Sequence, residues 1–63
     1  MIEIISDYGN VYKKGERILA MDLISSYLDC STDKSFNDYL TRIPIPDAVS
    51  FIADAWGIEY KFV

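Results

Sequence analysis

Apolar residues between Arg17 and Asp29 recur at helical spacing, which predicts a helix over residues 17–29. Leu19, Ala20, Met21, Leu23, Ile24, Tyr27 and Leu28 fall on one wide arc, with Asp22, Ser25, Ser26 and Asp29 opposite. Ile18 is the one apolar residue among the polar positions, so it is either covered by the preceding chain or left as a contact for a partner. Two more helical stretches follow. Ser31 or Thr32 offers a cap for a second helix starting near Asp33, in which Phe36, Tyr39, Leu40 and Ile43 form the apolar side. Lys34 with Asp38, and Asp38 with Arg42, are i,i+4 pairs on its solvated face. Pro44 and Pro46 end that helix, and each proline pushes the residue before it, Ile43 or Ile45, toward an extended conformation. Pro46 and Asp47 then suit the first turn of a third helix, centred on Ala48, Val49, Ile52 and Trp56, with Phe51 at its boundary and Gly57 as the cap.

The two ends of the chain have a different period. Residues 2–6, IEIIS, are β-branched, with Ile2 and Ile4 on one side and Glu3 and Ile5 on the other. Gly9 and Asn10 favour a tight turn, which predicts a hairpin between residues 2–6 and 11–14. Gly15 would break that strand and place Glu16 near the positive end of the first helix. After Gly57, Ile58, Tyr60 and Phe62 alternate with Glu59, Lys61 and Val63, as in a strand. Its only partner within the chain is the hairpin, with Glu3 and Lys61 as cross-strand neighbours. The fold class is therefore α+β in the order ββαααβ: a three-stranded sheet packed on one side by three short helices.

Size and composition narrow the picture. A chain of 63 residues is read as one compact domain spanning 1–63. Hydrophobic residues make up 51% and mean hydropathy is +0.09, enough apolar side chain to fold. Aromatic residues, at 14%, exceed what so small a core can bury, so some rings are expected at the surface or at an interface, and homodimerisation would cover them. A net charge of −4 disfavours nucleic acid and anionic membranes and favours a basic or apolar protein partner. Cys30 is the single cysteine and cannot form an intrachain disulfide, which points to the cytoplasm. No stretch reads as a membrane span or signal peptide, and the initial Met suggests a complete small reading frame.

Candidate chemistry is sparse. With no His and one Cys, neither the commonest general base nor a Cys/His zinc site is available, so no metal ligands are assigned. Gly9, Gly15 and Gly57 are scattered and form no phosphate loop; no cofactor is expected, and no catalytic set can be assembled. Cys30 reads as a small, at least half-buried residue just past the first helix.

Residues 49–63 resemble the start of a helix-turn-helix, with Ala53, Gly57, Ile58 and Val63 at the small, turn and core positions of that motif. The resemblance implies a dimeric DNA-binding regulator whose second helix reads the major groove. That helix would be Glu59–Val63, which is short and has Lys61 as its only base. The leading expectation from the residues themselves is a non-catalytic acidic module that inhibits or regulates a larger protein, a class common among phages and mobile elements. Tyr8, Tyr12, Ile18 and Phe51 are its candidate apolar contacts, and Asp22, Asp29, Asp33 and Asp54 its candidate acidic ones. A self-assembling structural subunit using the exposed sheet edge or Ile18 is a third expectation.

Overall fold

In the computed structural model of residues 1–63, the chain folds back at Gly9–Asn10, as the turn residues predict, but the regular second strand lies further along than expected. Strand β1 (Ile2–Ile4) pairs antiparallel with β2 (Arg17–Ile18), placing Ile2 opposite Ile18 and Glu3 opposite Arg17. Residues 11–14 form no strand; their contribution is an isolated bridge from Tyr12 to Tyr8. The cause is a turn at Lys13–Glu16. The Glu16 N–H donates to the Lys13 carbonyl, and Gly15, with φ +87°, occupies the position where a type II turn requires positive φ. Ile4 then faces two residues at once: its N–H donates to Glu16 and its carbonyl accepts from Gly15, a bulge of the kind that glycine permits. Glu16 is spent locally as well, accepting the Lys13 N–H on Oε1 at 3.0 Å instead of standing at a helix end.

Because Arg17 and Ile18 belong to the sheet, helix α1 runs over Ala20–Cys30 and Leu19 precedes it as the N-cap residue. Leu19 and Met21, expected inside, are therefore about half exposed; Leu23 and Ile24 carry the burial, flanked by Ala20, Tyr27 and Leu28. Helix α2 spans Lys34–Arg42 and is capped by Asp33, not by Ser31 or Thr32, with its carboxylate accepting the Phe36 N–H at 3.1 Å. Asp38 pairs with Arg42 at 3.1 Å, while Lys34 makes no ion pair. Tyr39, expected inside, is exposed. Helix α3 spans Ile45–Trp56. Ile45 is its first residue instead of an extended one, since a residue at the helix start can hold helical dihedrals with Pro46 in the first turn.

Gly57 ends α3 at φ +74°, and the Ile58 N–H reaches back to the Ala53 carbonyl at 2.9 Å, a Schellman-type finish that turns the chain toward strand β3 (Tyr60–Phe62). A Cβ at Gly57 would meet nothing within 4 Å, so Gly57→Ala costs only the left-handed backbone conformation. We expect a loss of about 1 kcal/mol, read as a fall of roughly 4–8 °C in the thermal midpoint, with Gly57→Asn losing less.

Strand β3 completes an antiparallel sheet in the order β2-β1-β3. Its register sets Phe62 against Ile2, Lys61 against Glu3 and Tyr60 against Ile4. Bonds from Ile5 N–H to Glu59 and from Val63 N–H to Met1 extend the ladder at both ends. The Glu3 carboxylate lies between Arg17 (3.2 Å) and Lys61 (3.8 Å) on the wet face, and each pairing is worth at most about 1 kcal/mol. The other face carries Ile2 and Ile4, which are buried in one apolar cluster with Leu23, Leu40, Val49 and Ile52. The Tyr60 hydroxyl lies 2.9 Å from Ser50 Oγ of α3. Phe62 shares the inner face but lies at its end, half exposed. The segment required as a recognition helix by the helix-turn-helix resemblance is thus a strand of the sheet. No helix is long and apolar enough to cross a membrane.

Candidate functional site

The far end of the hairpin is where the polar and aromatic side chains meet. Tyr8 and Val11 come from its tip; Trp56 is the last residue of α3; Ser26, Asp29 and Cys30 share one face of the last turns of α1. Together they line an open cleft of about 490 Å³, within the range of ligand sites. Tyr8 and Trp56 stack with centroids 5.7 Å apart and planes 15° from parallel, and Tyr12 lies behind Tyr8 at 6.4 Å. These spacings are those of offset rings, which cover each other only in part. No basic side chain lines the cleft. Lys13, the base nearest the hairpin tip in sequence, has its ammonium on the Gly9 carbonyl at 3.0 Å, and Asp29 makes no ion pair within the chain.

The wall of the cleft continues as a row of rings across the helices. Trp56 contacts Tyr27 (5.3 Å), Tyr27 contacts Phe36 (6.0 Å), and Phe36 meets both Tyr39 (6.4 Å) and Phe51 (6.2 Å), which also meet each other (5.7 Å). One end of this row is the cleft; at the other, Tyr39 and Phe51 are 47% and 41% exposed. No protein-family model, curated protein or solved structure matches this chain.

The residues singled out from sequence are distributed unevenly over this site. Tyr8 and Asp29 line the cleft, and Tyr12 is buried behind it. Phe51 belongs to the opposite end of the ring row. Ile18 is half-buried in β2 against the core, Asp22 stands exposed in the first turn of α1, Asp33 is the α2 cap, and Asp54 is exposed on α3. No group of three or more His, Cys, Asp or Glu side chains is placed to hold a metal ion. Val11, Ser26, Cys30 and Trp56 were missed as site residues. Trp56 sits at the centre of an apolar helical arc and reads as core, while Cys30, read as at least half-buried, is exposed because the helix ends at its position.

Proposed function

We propose that this chain is a non-catalytic protein-binding module, an inhibitor or regulator that works by covering a surface of a larger protein in the cytoplasm. The observation that supports this reading is the continuous row of seven rings, from buried Tyr12 through Tyr8, Trp56, Tyr27 and Phe36 to Tyr39 and Phe51, which reaches the surface at the cleft and again at Tyr39 and Phe51. Aromatic side chains dominate the energetic centres of protein interfaces, because they bury much area with little loss of rotamer freedom. The net charge of −4 favours a basic or apolar partner surface and speeds encounter with it. Affinity capture from the source cell, followed by mass spectrometry, tests the reading. A specific protein should be retained by the wild-type chain and lost with Phe51→Asp or Tyr8→Asp, both with wild-type circular dichroism. Retention of the same proteins by both variants would argue against it.

Self-association is a second reading, favoured by the half-exposed Met1, Leu19, Phe62 and Val63 around the end of the sheet where the two chain termini pair. Light scattering should then report a dimer that Phe62→Lys returns to monomer, whereas a wild-type monomer at millimolar concentration rules it out.

A further inference from the structure

We propose that the cleft between the hairpin tip and α1 takes a single basic side chain, lysine or arginine, from the protein partner; this rests on the protein-binding reading above and assigns the chemistry of one of its contacts. The lining has two characters. Tyr8, Val11 and Trp56 give an apolar wall on the hairpin and α3 side, and Ser26, Asp29 and Cys30 give a polar one on α1. A ligand that fits both needs an apolar stem and a polar head, which is the construction of lysine and arginine side chains.

The sign of the head follows from charge. Asp29 is the only carboxylate in the lining, no Lys or Arg lines the cleft, and Asp29 makes no ion pair within the chain. Arg17 and Lys61 are held on Glu3, Arg42 on Asp38, and Lys13 on the Gly9 carbonyl, while Lys14 and Lys34 make no ion pair within the chain. A carboxylate head would meet Asp29 and the −4 chain with repulsion, and a purely apolar side chain would leave Asp29 and Ser26 facing hydrocarbon. A cationic head instead gains charge-assisted hydrogen bonds to the Asp29 carboxylate, and its methylene stem lies along the partly uncovered faces and edges of Tyr8 and Trp56. The volume, about 490 Å³, exceeds one side chain, leaving room for the flanking backbone of the partner segment.

Trp56 is the only tryptophan of the chain, so its fluorescence and indole resonance report directly on this cleft. The test titrates the protein with three blocked tripeptides, Gly-Arg-Gly, Gly-norleucine-Gly and Gly-Glu-Gly, following amide and indole NMR shifts. The arginine peptide should shift Ser26, Asp29, Cys30 and the Trp56 indole, with a Kd on the order of a millimolar for so small a probe. The glutamate peptide should shift none of them. Asp29→Asn, whose exposed side chain carries no ion pair, should keep the wild-type thermal midpoint and bind the arginine peptide about fivefold more weakly, leaving it equal to norleucine. Equal binding of arginine and norleucine by the wild type, or arginine binding untouched by Asp29→Asn, overturns the basic-side-chain assignment. An absence of any cleft shift also overturns it. The protein-binding reading stands or falls separately, by capture with the Phe51→Asp variant at the other end of the ring row.

Discussion

Ile52→Ala should remove most of the stability of this protein. Ile52 is fully buried on α3, in one cluster with Ile2 and Ile4 of the sheet and Leu23 of α1, so its side chain is where both layers meet. Truncating such a residue costs about 2–5 kcal/mol, from the lost transfer free energy and from the cavity left behind. A 63-residue chain at typical stability per residue holds only about 3–9 kcal/mol in total. We expect thermal unfolding monitored by circular dichroism to shift down by at least about 8 °C or to lose its cooperative transition. Ile52→Val should cost about 1 kcal/mol, and Asp54→Ala, two residues along the same helix but exposed, should stay within about 0.5 kcal/mol. A variant Ile52→Ala with an unchanged midpoint would mean that the sheet and helices do not share one core.

Removal of residues 60–63 should be equally severe. Strand β3 covers one edge of β1 and brings Tyr60 and Phe62 opposite Ile4 and Ile2. Without it, β1 retains only the two-residue β2 as a partner, and a two-stranded ribbon is marginal in water. The fully buried Ile2 and Ile4 would lose their cover on that side. The truncated chain should show no cooperative unfolding transition and should exchange its α1 amides rapidly. A folded truncation product would instead mean that the tail is appended to a domain complete without it.

The order of elements was legible because period is a local property. The alternation at 58–63 and the helical spacing at 36–43 and 48–56 survive in the structure within a residue or two, as do the Gly57 cap and the Glu3–Lys61 pairing. The second strand was not legible. Arg17 and Ile18 happen to continue the helical spacing of the residues after them, and what takes them into the sheet is the turn at Lys13–Glu16, four residues whose pairing depends on Ile4 across the hairpin. Ile18 was the visible misfit: an apolar residue in the polar arc of a predicted helix turned out to be a strand residue facing Ile2. The cleft was half legible for the same reason. Tyr8 and Asp29 stood out individually, but their proximity to Trp56 and Cys30 is created by tertiary packing of the hairpin tip on the ends of two helices, which no spacing along the chain encodes.

The bond from the Val63 amide to the Met1 carbonyl has a practical consequence. The two backbone ends lie side by side, about 5 Å apart as paired strands are, at the opposite end of β1 from the tyrosine at the hairpin tip. A few added glycines would suffice to splice them into a circular polypeptide, which would shrink the unfolded ensemble without touching the aromatic wall. Affinity handles or dyes attached at either terminus would likewise emerge on the side remote from the hairpin tip, leaving the surface around Tyr8 uncovered.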